Sequence, residues 1–511
     1  MLFNSYVFLF LFLPLSLIGY YLFVHLGKGT AAKLVLTAAS LIFYAYANPV
    51  YLLILLGSIL FNYALCQGIV YERKRTGGRR AFCNALLVAG IAGNLGLLFY
   101  FKYYDFFVEN LNAVFGTSFV LKGVILPLGI SFFTFQQIGY VVDVWKGEAK
   151  VCSFLDYMLF VSYFPKLTQG PITVHEELLP QLAGIGKTRF SSERFTAGIY
   201  LFTMGMVKKV LVADTFGKAA DWGYSNVGSL TGTDSLLLIL FYALQLYFDF
   251  SGYCQMARGL SWIFGLELPV NFRSPYKASN IVDFWKGWHI TLNRFFTRYI
   301  YIPLGGNRKG RGRMYANLLF IFLLSGLWHG AGWNFILWGA LHGVLYLFTR
   351  MWQLHRKRVE GGQPVLSGKK KKSSGSVSAG RIAGTFLTFA FCCCAWVFFR
   401  AKSVSQALAV FERLLHGGFA LPSVGLMEGF NLDEFWYILK LAHLDSLPFA
   451  QYYLGIAITI GTLLVVFFAP NADEKAERFR PTAWNAAVTA FLFLWCTFSL
   501  SGVSSFLYFQ F

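Results

Sequence analysis

Apolar runs long enough to cross a bilayer recur along the whole chain, and nothing else in the sequence constrains the fold as much. They are Leu2–Val24, Ala31–Ala47, Pro49–Tyr71, Ala81–Tyr104, Val124–Val144, Phe195–Ala213, Ser235–Phe264, Tyr315–His329, Trp333–Arg350, Ile382–Phe399, Tyr452–Ala469 and Trp484–Leu500. Backbone in lipid must satisfy its own hydrogen bonds, and continuous apolar runs do so as helices. The expectation is an all-α, polytopic integral membrane protein with about 11–12 transmembrane helices, each needing about 20 apolar residues, plus re-entrant and amphipathic helices. Leu2–Val24 lacks a basic start and a small-residue cleavage site, so it reads as a retained helix and not a signal peptide. Ser153–Ile172 is apolar but carries Pro165, Lys166, Gln169 and Pro171, and reads as re-entrant or buried in protein.

Composition closes the other routes. Hydrophobic residues make up 56% and charged residues 13%, against roughly a quarter charged in soluble domains. Mean hydropathy is +0.54. An ordinary soluble enzyme, a disordered chain and a fibrous chain are excluded. The formal net charge of +20 reports loops held on the cytoplasmic side, and no nucleic-acid partner is expected. Basic residues cluster at Arg73–Arg80, Lys277–Arg313 and Arg350–Arg381, which places those loops in the cytoplasm. Asp105–Leu121, Thr215–Asp234 and Lys402–Gln451 are neutral or acidic and fall on the other side. The whole chain, 1–511, is expected to be one membrane domain. Gly361–Gly380 reads as a flexible cytoplasmic loop whose Lys369–Lys372 run can touch anionic lipid. The eight Cys show neither metal nor disulfide spacing, and no metal site is expected.

The polar chemistry is concentrated between residues 247 and 343. YFDFSGY (Tyr247–Tyr253) sets Asp249 deep in an apolar helix, where a charge must face protein or a wet cavity. NFRSPY (Asn271–Tyr276) follows, then FWKGWHITLNRFFTRYIYIPLGGNRKG (Phe284–Gly310). Trp285, Trp288, Leu292, Phe295, Phe296 and Tyr299 fall near helical spacing, with Lys286, Asn293 and Arg294 elsewhere on the wheel. The spacing predicts one amphipathic helix near the cytoplasmic face, followed by a cationic rim of Lys309, Arg311 and Arg313. LSGLWHGAGWNFILWGALHG (Leu324–Gly343) reads as an apolar helical hairpin carrying His329 and His342. Each feature has a structural reading as well. A buried His is usually a hydrogen-bonded core residue, Asp249 the partner of a cation, the rim a set of positive-inside residues, and the aromatic stripe core. His289 and His329 stand out because both lie in one polar–aromatic block of a chain with only eight His.

These motifs resemble a known family. MLFNSYVFLFLFLPL, FKYYDFF (Phe101–Phe107), LPLGISFFTFQQIGYVVDVWKG (Leu126–Gly147) and YFPKLTQGPI (Tyr163–Ile172) are similar to the membrane-bound O-acyltransferases, within them to the bacterial alginate O-acetylation branch. FWKGWHITL, YIPLGGNRKG and LWHGAGWNFILWGALHG are the most specific matches. The residues after Ile382 fit that longer branch. The branch usually reads DFSGYSDMA where this chain reads DFSGYCQMA, so an acid is missing at Gln255.

The resemblance implies a helical ring with a thin centre, in a bacterial inner membrane, with a tunnel from a cytoplasmic donor mouth to an outer acceptor funnel. It implies acyl transfer from a thioester, acetyl-CoA or an acyl carrier, with no bound cofactor. The acceptor would be an exported polysaccharide, or a partner acetyltransferase outside the membrane. His329 takes the place of the family's hallmark His and is expected to be the general base, with His289 as the second His. Lys309, Arg311 and Arg313 would hold the anionic donor. Asn334 and Trp333 are candidates for the oxyanion donor through their nearness to His329 in the chain. The rival within the family is D-alanyl or other acyl transfer to teichoic acid or peptidoglycan. The rival outside it is a non-catalytic transporter, which would show paired broken helices in both halves.

Overall fold

The computed structural model describes residues 1–75, 79–187, 190–359, 379–431, 440–441, 449–502 and 507. Among them regular structure is helical throughout, with no strand. Most of the Gly361–Gly380 loop, including Lys369–Lys372, lies outside the described residues. The chain divides into two compact units, Met1–Asp214 with Phe248–Val270 and Ala472–Phe511, and Thr215–Tyr247 with Asn271–Asn471.

The first unit opens with α1 (Phe8–His25), α2 (Gly29–Ala45), α3 (Pro49–Lys74) and α4 (Arg80–Phe115). Then come α5 (Ile130–Lys146), α6 (Phe154–Ser162) and the start of α7 (Ser192–Ser225). The start of α3 is written locally. The Asn48 side chain accepts from Val50 N at 2.9 Å, and Pro49 fills the position whose N–H needs no partner. Phe3, Phe8, Phe12, Phe43 and Phe164 interlock at 5.1–6.4 Å between ring centres. α5 is almost wholly buried, and its amides are bonded inside the protein: Gln136 to the Phe160 carbonyl and Gln137 to Ser58 Oγ. After α6 the backbone breaks at Tyr163 and passes through a one-turn helix, Phe164–Leu167. That irregular stretch is buried from Leu159 to Thr173, as membrane-depth backbone requires.

The ion pairs of this unit include two buried groups centred on Lys209 and Arg258. Lys209 Nζ lies 2.8 Å from Asp214 Oδ1 and 2.7 Å from Asp249 Oδ1, all three buried. Arg258 pairs with Asp473, and Gln255 Nε2 donates to the same carboxylate at 2.8 Å. The acid missing at position 255 is thus matched by one from the C-terminal end of the chain.

The long helix α8 (Gly232–Ile263) runs through residues of both units. The second unit continues with α9 (Ile281–Gly287), α10 (Ile290–Phe296) and α11 (Arg311–His329). It then has α12 (Trp333–Val359), α13 (Ala379–Arg400), α14 (Val404–His416) and α15 (Ala450–Phe468). α16 (Ala483–Phe498) returns to the first unit. Among the described residues seven helices, α1, α3, α4, α7, α8, α13 and α15, are long and apolar enough to cross a membrane. The other five apolar runs account for the larger number expected from sequence. Those at α2 and α16 form shorter apolar helices. α5 is 17 residues long and faces protein. α11 and α12 are interrupted by polar residues such as Asn317, His329, Asn334 and His342, all buried.

The single amphipathic helix expected over 284–299 is instead two short helices. His289 adopts φ 44°, ψ 52°, a left-handed conformation that ends one helix turn and starts another. Its stripe of Trp285, Trp288, Leu292, Phe295 and Phe296 is buried core, as the structural reading of the sequence has it.

α11 and α12 form the hairpin that carries His329, and glycine sets their approach. A Cβ on Gly326 would lie 2.3 Å from the Phe335 carbonyl oxygen, and one on Gly339 2.4 Å from that of Phe322. Both obstacles are backbone, so the helices must part to admit a methyl group. At Gly343 the nearest atoms are side chains, at 3.0 Å. Gly339→Ala is therefore expected to be less stable than Gly343→Ala by about 1–3 kcal/mol, the usual range for overpacking. Thermal unfolding of the two variants in detergent measures the difference.

Candidate active site

Asn271 organises the centre of the second unit. Its carbonyl oxygen accepts from Ile290 N at 3.0 Å, and Arg273 N donates to the Gly287 carbonyl at 2.9 Å. These bonds hold the 271–273 strand of chain against the 287–290 break. The Asn271 side-chain oxygen accepts from Thr291 N at 3.1 Å and from Thr291 Oγ1 at 2.9 Å. His289 Nδ1 lies 3.2 Å from that same oxygen. A backbone N–H can only donate, so the amide must present oxygen here, and His289 Nδ1 must carry the hydrogen. Nε2 is then the ring's lone-pair nitrogen. Burial pushes the His289 imidazole down to about 3, which keeps it neutral. A non-glycine residue held in the left-handed region costs about 1–2 kcal/mol, and such strain clusters at functional sites.

His329 is the last residue of α11 and is 3% exposed. Its ring centre lies 4.9 Å from Trp328, 5.2 Å from Trp338, 5.1 Å from Phe399 and 6.3 Å from His289. The two imidazoles are too far apart to bond each other directly, but a hydroxyl between them could reach both. Trp338 in turn packs on Trp396 and His342, at 5.4 and 4.9 Å.

The other sequence candidates fall elsewhere. Asn334 Nδ2 donates to the carbonyls of Phe398 at 3.1 Å and Ala401 at 2.8 Å, tying the start of α12 to the end of α13. Trp333 is 61% exposed. Asp249 belongs to the first unit, where its carboxylate holds Lys209 and accepts from Leu507 N. Lys309, Arg311 and Arg313 are exposed. A cavity of about 470 Å³ opens beside them, and its wall includes Trp285, Lys286, Arg294, Asn307, Tyr346 and Arg350. Its cations come from three separate stretches of chain, so no local density of charge marks them. Asn271 was visible only as part of a polar motif without a role.

The family model for the membrane-bound O-acyltransferase family matches residues 146–363. The peptidoglycan O-acetyltransferase of Helicobacter pylori is 40% identical over 441 residues, 81% of this chain and 80% of that protein. A probable alginate O-acetylase of Pseudomonas aeruginosa is 37% identical over 423 residues, covering 82% and 75%. A teichoic acid D-alanyltransferase of Lacticaseibacillus rhamnosus is 24% identical over 354 residues, covering 66% and 83%.

Proposed function

The chain belongs to the membrane-bound O-acyltransferase family, and we propose that it moves an acetyl group from a cytoplasmic thioester, such as acetyl-CoA, to a hydroxyl of an exported glycan. The acceptor is an alginate-like polysaccharide or peptidoglycan, reached directly or through an exported partner, and the membrane is the bacterial inner membrane. The relatives named as O-acetylating enzymes support this acceptor class over D-alanyl transfer, which is represented at lower identity.

The observation that carries the chemistry is the pair of buried imidazoles 6.3 Å apart at the end of α11. His329 takes the proton of the acceptor hydroxyl while its oxygen attacks the thioester carbonyl. The tetrahedral oxyanion collapses, the C–S bond breaks, and the proton passes to the leaving thiolate. An ester and a free thiol result. The positive charge His329 acquires during transfer lies at the negative end of α11's dipole. His289, fixed with Nε2 as acceptor, orients the hydroxyl from the other side. General base catalysis of this kind contributes roughly 10²–10⁴-fold.

The cavity lined by Lys286, Arg294 and Arg350 receives the phosphates of the donor, with Trp285 on the same wall. Lys309, Arg311 and Arg313 form an outer rim that attracts the donor at longer range. Reversing Lys286, Arg294 and Arg350 to Glu is expected to raise the donor KM at least about tenfold, as loss of charge-assisted hydrogen bonds would. Reversing the three rim residues is expected to flatten the salt dependence with a smaller change in KM. Initial rates of acetyl-CoA consumption by purified variants at two ionic strengths test both. An unchanged KM in the folded cavity variant would remove the donor assignment.

A further inference from the structure

The thioester carbonyl becomes an oxyanion when it is attacked, and a hydrogen-bond donor near His329 must meet it. Asn334 has both amide protons on backbone carbonyls, and Trp333 faces outward. Trp338 differs from both. It is fully buried, its ring stands edge-on to His329 at 5.2 Å and 89°, and it also touches Phe399 at 5.3 Å. Its indole Nε1–H is buried with no acceptor among the described residues. A buried donor without an acceptor costs about 1–3 kcal/mol, and an acceptor that arrives with the substrate would remove that cost.

Resting on the acyl-transfer reading above, we infer that Trp338 Nε1–H is the donor that stabilises the oxyanion. The ground-state carbonyl accepts weakly from it. The negative charge that develops on the same oxygen accepts strongly, in a site walled from water by Trp328, Trp396 and Phe399. The contribution therefore falls on kcat and leaves donor affinity little changed. Trp285 and His342 also carry buried ring nitrogens without partners among the described residues, but their ring contacts run to Trp338 rather than to His329.

The test uses the purified full-length protein in lipid nanodiscs, with labelled acetyl-CoA as donor and a soluble oligosaccharide as acceptor. Trp338→Phe keeps an aromatic ring and removes the N–H. Replacement of Trp338 by benzothienylalanine keeps the bicyclic shape as well, and serves if the Phe variant unfolds. Each is expected to lower kcat by roughly 10²–10³-fold, the usual loss for one oxyanion donor, with the donor KM within about threefold of wild type. A benzothienylalanine protein with normal thermal stability and near-normal kcat would overturn the assignment, because only the N–H has been removed. Failure of the wild-type protein to transfer label to either the oligosaccharide or an added exported partner would instead overturn the acyl-transfer reading itself.

Discussion

His329→Gln is expected to abolish acyl transfer while leaving the protein inserted in the membrane at its normal level. Glutamine can hydrogen-bond where the imidazole sits, but it cannot accept a proton near neutral pH. If His329 only fills the space between Trp328, Trp338 and Phe399, glutamine should keep much of the activity, and His329→Ala should fail only as far as it unfolds. If His329 is the base, both variants lose roughly two orders of magnitude or more at normal protein levels. Glycan acetylation in cells, normalised to membrane-inserted protein, separates the two accounts. Substantial acetylation by the glutamine variant would transfer the base role to His289, whose Nε2 already has the required lone pair.

The second large effect is expected at Asn271, whose side-chain oxygen holds His289 and Thr291, so that it acts through His289. Asn271→Leu removes the acceptor that fixes the imidazole's tautomer and the left-handed turn. A loss of roughly 10–100-fold in kcat is expected, in line with the removal of a group that orients a functional His. Asn271→Asp restores an acceptor for Thr291 N, Thr291 Oγ1 and His289 Nδ1, so it should recover much of what leucine loses. A residue that served packing alone would show the reverse order, because leucine suits a buried position better than a carboxylate. Steady-state kinetics of the two variants, beside their thermal stabilities, decide the matter.

What could be read from the sequence follows the range of the interactions involved. Helical membrane character depends on the length and apolarity of local runs, and it was legible throughout. The aromatic stripe of Trp285, Trp288, Leu292, Phe295 and Phe296 was legible as well, because core spacing is written in neighbouring residues. The break at His289 was not. Its cause is Asn271, 18 residues earlier, which captures Thr291 and the Ile290 amide. Helical periodicity runs on across that break without a mark. The same limit explains Asn334, which looked available beside His329 until the carbonyls of Phe398 and Ala401 took its amide. It also explains Gln255, whose departure from the expected acid is matched by Asp473, 218 residues away. Cations show the same dependence on range: charge density draws attention to the neighbouring Lys309, Arg311 and Arg313, whereas the cavity wall collects single cations from α9, α10 and α12.

The most direct test of the central claim is a single-turnover experiment with the wild-type protein in sealed vesicles. Acetyl-CoA labelled in the acetyl group is supplied on one side, and a glycan acceptor together with the exported partner on the other. The account predicts base-labile ester label on the glycan, one free thiol per ester formed, and neither product from His329→Gln. Label that stays on the thioester, or ester that forms equally well with His329→Gln, would contradict it.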